Sequence, residues 1–221
     1  VGCVMIFPTA FLSFFLCLIL TPVVRMNAHK RGWIAEPRKE RWHKKPTALT
    51  GGIAIYISFA IPLFYFADFH SILPHIFRGV HILTPPSLEA VMFIAMTLVF
   101  ILGLLDDFLH INPHTKLIGQ FLVASFIAFL GFRLDWFVSM TLDTIVTIIW
   151  IVGITNAFNL IDNMDGLCAG VALISASYLA LLFMPDFPQA AATSLILAGA
   201  LGGFLVYNFN PASILDRKSV V

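Results

Sequence analysis

The chain has 221 residues, 59% of them hydrophobic and 11% charged, with a formal net charge of +1. A soluble domain carries about 25% charged residues, and one aqueous core cannot hide this much apolar surface, so lipid has to be the solvent for most of the chain. The composition therefore excludes an ordinary soluble enzyme, and no nucleic-acid partner is expected. An all-α, polytopic membrane bundle is the expected fold, as a single integral membrane domain over residues 1–221.

The first apolar stretch, Cys3–Val24, is too long for a signal-peptide core and has no basic leader, so it reads as a retained helix. A basic run follows: Arg25, Lys30, Arg31, Arg38, Lys39, Arg41, Lys44 and Lys45. In a membrane protein such a loop faces the cytoplasm. Six further stretches approach the roughly 20 apolar residues that a spanning helix needs: Leu49–Ala67, Leu88–Leu105, Thr115–Phe132, Thr141–Thr155, Leu167–Met184 and Gln189–Tyr207. The Thr141–Thr155 stretch is short and its start is poorly marked, with Asp143 near its outer end. Between the second and third stretches, residues 68–87 are polar enough for an outer loop. His70, His75 and His81 lie there; His75 and His81 have no helical metal-ligand spacing, so these read as scattered loop histidines. Cys3, Cys17 and Cys168 lie in apolar stretches and read as small hydrophobes with no disulfide framework.

About seven transmembrane helices, alternating from a cytoplasmic basic loop, put the N-terminus outside. Asp106-Asp107, Lys116, Asn156–Asp165 and Asn208–Pro211 then all fall on one face. Asp106 and Asp107 close GLLDDF at a helix C-terminus, where the dipole disfavours negative charge. Neighbours on a helix stand about 100° apart, so different roles are expected, metal binding for one and proton handling for the other. Lys116 opens the next helix. Alone it reads as a lysine snorkelling to water; opposite two aspartates, at a helix N-terminus, it can hold a phosphate.

The densest cluster is NAFNLIDNMDGL, with Asn156, Asn159, Asp162 and Asp165 three apart. A regular helix would carry the last of these round to the side opposite the first. The segment should therefore unwind, tighten or end near Asp162, with Gly166 permitting the break. Carboxylate and amide oxygens of this kind are hard ligands suited to Mg²⁺. In RWHKKPTALTGG, Gly51-Gly52 opens a helix just after His43 and Lys45. Taken alone, that pattern reads as inside-positive charge with a helix-packing glycine pair. Together the four clusters describe a pocket for two phosphorylated substrates and a divalent ion.

ITNAFNLIDNMDGLCAG, GLLDDFLHINPHTKLIGQ, RWHKKPTALTGGIAIY and NFNPASI resemble motifs of the polyprenyl-phosphate N-acetylhexosamine-1-phosphate transferases, a superfamily that includes the phospho-N-acetylmuramoyl-pentapeptide transferase. The resemblance runs to about Ile214. It implies transfer of a sugar 1-phosphate, GlcNAc-1-phosphate by the NAFN pattern, from a UDP-sugar to undecaprenyl phosphate, with release of UMP and a requirement for Mg²⁺. The implied setting is the bacterial cytoplasmic membrane, with the site facing the cytoplasm, and the implied outcome is initiation of a cell-envelope polysaccharide. By the same resemblance Asp106, Asp107, Asp162 and Asp165 are catalytic; Lys45, Lys116, Asn156, Asp162 and Asp165 bind substrate; and Asn159, Asp106 and Asp107 hold the metal. The implied partners are the UDP-sugar, undecaprenyl phosphate and membrane lipid, and a homodimer is compatible with them.

Two features depart from the family pattern. Asn163 stands where glycine is usual. After NFNPASI the family continues into a Phe-Met-Gly-Asp segment, further helices and a His-rich loop, whereas residues 215–221 do not match. This reads as a piece of a longer transferase, inactive by itself. The alternatives are the pentapeptide transferase and, from another class, a transporter using carboxylates. Transporters place their charges near the midplane on broken helices, whereas these acids gather at helix ends.

Overall fold

The structure is a computed structural model that describes residues 2–35, 47–48, 50–66, 88–109, 111–162, 164–210 and 212–214. The architecture is all-α, with seven helices among the described residues: α1 (Gly2–Arg31), α2 (Gly51–Phe66), α3 (Leu88–Leu109), α4 (Pro113–Phe129), α5 (Met140–Ile161), α6 (Leu167–Phe183) and α7 (Pro188–Asn208). Two-residue strands β1 (Ile34–Ala35) and β2 (Thr47–Ala48) pair antiparallel between α1 and α2. Four helical segments are long and apolar enough to cross a membrane: Phe7–Arg31, Val91–Leu109, Met140–Ile161 and Pro188–Asn208. Gly51–Tyr65 and Leu167–Phe183 are shorter apolar helices. Large apolar side chains stay exposed along these helices, as Phe7, Phe11, Phe15 and Ile19 do at four-residue spacing on α1, the pattern of a surface whose solvent is lipid. The chain is a multi-pass membrane protein.

The helices form two compact units. The first comprises residues 1–66 and 161–221. Within it α1 packs on α2 and α7, and α6 packs on α7. Lipid gives no hydrophobic drive for helix association, so small residues and polar links hold membrane helices together. A Cβ on Gly199 would overlap the Ala10 carbonyl oxygen, and one on Gly203 the Phe14 carbonyl oxygen, so the α1 and α7 backbones approach directly. Buried Ser13 Oγ lies 2.8 Å from the carbonyl oxygens of both Ser58 and Ile196, linking α1 to α2 and α7. Phe59, Leu63, Ile196 and Phe204 fill the core around this point.

The second unit spans residues 67–160 and contains α3, α4 and most of α5. Here α3 packs on α4, with Leu102 lying where a Cβ on Gly119 would project.

Three expectations about boundaries need correction. α1 continues to Arg31, so Arg25, Lys30 and Arg31 ride on helix and not in a loop. The basic residues at its C-terminus suit the dipole, and nothing stops a helix from running past the bilayer into water. Likewise α3 runs to Leu109, which puts Asp106 and Asp107 inside its last turns. α5 is a full 22 residues, longer than the 141–155 stretch at both ends. Its polar start is accommodated because buried Asp143 and Thr147 accept backbone N–H groups from the preceding loop. The helix ends at Ile161, and Gly166 adopts a φ of +70° immediately before α6. The break expected near Asp162 is therefore present. α2 opens at Gly51, as expected. The loop at 68–87 with its histidines lies outside the described residues, as do His43 and Lys45.

Candidate functional site

Within the second unit the polar residues meet at the ends of three helices. Pro113 opens α4, where a missing N–H costs nothing and a fixed φ suits the first turn. Asn112 supplies the carbonyl that accepts the Lys116 amide at 3.0 Å. From that first turn Lys116 Nζ reaches Asp106 Oδ2 on α3 at 2.7 Å. It also donates to Asn159 Oδ1 on α5 at 3.3 Å. The Lys116 and Asp106 side chains are 18% and 22% exposed, so the pair is neither dry nor freely solvated. An ammonium has three N–H donors; two partners leave one for an incoming anion.

One turn deeper, Asn156 Nδ2 donates to Gln120 Oε1 at 2.6 Å and to the Val152 carbonyl at 2.8 Å. Gln120 is buried. Lys116 and Gln120 share a face of α4 at a spacing of four, and Asn156 and Asn159 share a face of α5 at a spacing of three. The Gln120–Asn156 pair clasps α4 to α5 through side-chain amides, and Lys116 reaches across the same two faces.

The first unit carries a cluster where the start of α6 meets the end of α7. Asn208, the last residue of α7 and buried, accepts the Gly166 amide on Oδ1 at 3.1 Å and donates from Nδ2 to the Ile214 carbonyl at 2.9 Å. Asp165 Oδ2 accepts the Ala212 amide at 3.0 Å. Ser213 donates from both its amide and its hydroxyl to the Tyr207 carbonyl, at 2.9 and 3.0 Å. The NFNPASI turn is thus folded back onto the MDG turn. Asp162 stands in the turn just beyond α5.

Of the site residues expected from the sequence, Asp106, Lys116 and Asn159 come together, and Asn156 lies one turn away in the same unit. Asp107 adjoins Asp106 on α3, while Asp162 and Asp165 belong to the other unit. Lys45 and Asn163 lie outside the described residues. Among the described residues, no group of three His, Cys, Asp or Glu side chains is arranged to hold a metal. The oxygen donors on hand are the Asp106 carboxylate and the Asn159 amide oxygen, both within reach of one cationic atom, Lys116 Nζ. Gln120 and Asn208 received no role from the sequence. Gln120 is the one amide in an apolar run and stands a helical turn from Lys116, which is the signal that marks it. Asn208 carries no pattern of its own beyond its place in NFNPASI.

A family model described as glycosyl transferase family 4 matches residues 90–216, more than half of the chain. The chain belongs to glycosyl transferase family 4. The matched span takes in both polar clusters. Among similar proteins, the probable undecaprenyl-phosphate N-acetylglucosaminyl 1-phosphate transferase of Bacillus subtilis is 31% identical, over 89% of this chain and 54% of its own length. The decaprenyl-phosphate N-acetylglucosaminephosphotransferase of Mycolicibacterium smegmatis is 33% identical, over 89% of this chain and 52% of its own length. A phospho-N-acetylmuramoyl-pentapeptide-transferase of Limosilactobacillus reuteri is 29% identical, over 91% of this chain and 66% of its own length. The chain spans about half the length of the first two relatives.

Proposed function

We propose that this family 4 protein transfers a sugar 1-phosphate, GlcNAc-1-phosphate by its similarity to the first two relatives, from a UDP-sugar to undecaprenyl phosphate. The observation that carries the reading is the Lys116 ammonium held between Asp106 and Asn159. In the proposed reaction an oxygen of the lipid phosphate attacks the sugar-bearing phosphorus of the donor. The bond from that phosphorus to the bridging oxygen breaks, and UMP leaves with the bridging oxygen and its electron pair. One phosphoanhydride replaces another, so the protein's task is to position two anions and offset their repulsion.

Lys116 binds phosphate through its remaining N–H, and Asp106 and Asn159 aim it. Asp107, on the adjacent helical position about 100° round the helix, is proposed to take the proton-handling role. The Asp106 and Asn159 oxygens are hard donors of the kind that Mg²⁺ prefers and shares with phosphates. Bound there, Mg²⁺ would supply charge neutralisation. Asp162 and Asp165 are proposed to act toward the nucleotide. Asp165 also fixes the turn at Ala212, so part of its effect is structural. The site is proposed to face the cytoplasm of a bacterial inner membrane, with the N-terminus outside.

The test is release of radiolabelled UMP by the full-length protein in the presence of Mg²⁺ and undecaprenyl phosphate. UDP-GlcNAc and UDP-MurNAc-pentapeptide are supplied separately. Turnover with UDP-GlcNAc is expected. Turnover with the pentapeptide donor alone would move the assignment to the other branch, and none with either would reject the reaction.

A further inference from the structure

The connection from α4 to α5, residues 130–139, carries Arg133, Asp135 and Ser139 and beside them exposes large apolar side chains. Phe129, Trp136, Phe137, Val138, Met140 and Leu142 are all exposed, and Val138 is fully so. Water would be a poor solvent for such a turn. Its backbone is nevertheless well satisfied from within. The amides of Leu130, Gly131, Phe132 and Arg133 donate to the Phe126, Ala128, Ile127 and Gly131 carbonyls. Leu134 donates to Thr147 Oγ1 at 2.9 Å, and Trp136 and Phe137 both donate to Asp143 Oδ1 at 3.0 Å. Asp143 is 3% exposed, so a buried carboxylate is dedicated to two loop amides. Asp side chains bond loop amides in water too; what sets this carboxylate apart is its burial. A loop at membrane depth needs such internal bonds, since orphaned backbone groups there cost several kcal/mol each.

Helix lengths place the turn at that depth. Lys116 and Asn159 mark one level in this unit. At about 1.5 Å per residue, Phe129 lies about 20 Å along α4 from Lys116; on α5, Thr147 lies about 18 Å from Asn159, and Asp143, which holds Trp136 and Phe137, about 24 Å. The hydrocarbon core is about 30 Å thick, and any tilt shortens these projections further. With the Lys116 level at the near boundary, as in the proposed function, the Leu134–Thr147 bond lies short of the opposite boundary and Asp143 close to it. Arg133 and Asp135 limit how deep the turn can sit, because charge at the bilayer centre is costly. A short span is accommodated by local thinning and by side chains reaching for the headgroups.

We propose that residues 130–139 form a turn embedded at the boundary between acyl chains and headgroups of the far leaflet, with Trp136, Phe137 and Val138 in contact with lipid. The occupant of this apolar surface is the bilayer itself, continuous with the lipid-facing sides of α4 and α5. The proposal is independent of the reaction's chemistry; it needs the membrane-spanning unit with Lys116 at the near boundary.

The test uses full-length protein in bilayers, with Trp136 kept and the other tryptophans of this sequence replaced by Trp33→Phe, Trp42→Phe and Trp150→Phe, along with any in the rest of the protein. Acyl-chain-brominated lipid is expected to remove a larger share of Trp136 emission than aqueous iodide does. A sole-Trp150 variant, exposed midway along α5, serves as the lipid-facing reference. Asp143→Ala should free the turn and raise its iodide quenching. Quenching by iodide alone would show an aqueous loop, and quenching by neither agent would show a surface covered by protein; either result overturns the proposal. If the tryptophan-depleted protein does not fold, a nitroxide on Val138→Cys reads the same question, with oxygen collisions expected to exceed those of a water-soluble nickel complex.

Discussion

Lys116 and Asp106 are ten positions apart in the chain, yet Nζ and Oδ2 lie 2.7 Å apart. The pair joins the end of α3 to the start of α4 across a turn too short to leave much freedom. Partly exposed pairs of this kind contribute only about 0–1 kcal/mol to stability. We therefore expect Lys116→Met and Asp106→Asn to leave the unfolding midpoint in detergent nearly unchanged. Lys116→Arg should restore activity only in part, since a planar guanidinium does not offer the same point charge to both oxygens. A large fall in stability for either substitution would mean that the pair is chiefly a structural clamp.

Gln120 and Asn156 should behave differently. Gln120 is buried, so Asn156→Ala strands its amide oxygen, at a cost of about 1–3 kcal/mol. Gln120→Leu removes the partner but leaves Asn156 its bond to the Val152 carbonyl, so the loss should be smaller. Partners in one contact are not additive, and the double variant should be less destabilised than the sum of the singles. Thermal unfolding of the three proteins in one detergent checks this, and strict additivity would contradict the clasp.

Asn208 serves two backbone groups at once. Asn208→Ala orphans the Gly166 N–H and the Ile214 carbonyl, each worth about 1–3 kcal/mol when buried. Asn208→Asp keeps the acceptor for Gly166 but sets a buried carboxylate oxygen against the Ile214 carbonyl, so it should lose at least as much stability as the alanine variant. Limited proteolysis between residues 209 and 214 should follow the same order.

Contact between α1 and α7 depends on two glycines. Gly203→Val puts a branched side chain against the Phe14 carbonyl and should force the helices apart, with loss of folded protein after detergent extraction. Gly153, which has nothing near its would-be Cβ, is the control: Gly153→Ala should be tolerated and, at mid-helix, slightly stabilising by about 0.5–1 kcal/mol.

Much of this arrangement is legible in the residues. Three-residue spacing in NAFNLIDNMDG cannot persist on one helical face, and the helix stops at Ile161 with Gly166 left-handed beyond it. Opposite charges flanking a short turn foretell Lys116 beside Asp106. The start of α5 is harder, because Thr141, Asp143 and Thr144 resemble a loop until Asp143 is seen accepting Trp136 and Phe137. That role depends on a tertiary turn that no local period encodes. Gln120 escapes a sequence reading for a related reason: its partner is 36 residues away on another helix. The extension of α1 to Arg31 is hidden because apolar content marks where lipid ends and says nothing of where a helix ends.

The Asp106–Lys116 cluster is proposed to do the phosphate chemistry, and Mg²⁺-dependent UMP release from UDP-GlcNAc by full-length folded protein reads this out. Asp106→Asn, Asp107→Asn, Lys116→Ala and Asp162→Asn should each lose more than about tenfold in turnover, or about 1.4 kcal/mol of barrier, while Cys168→Ala keeps the wild-type rate. Wild-type turnover in both Asp106→Asn and Lys116→Ala would contradict the account.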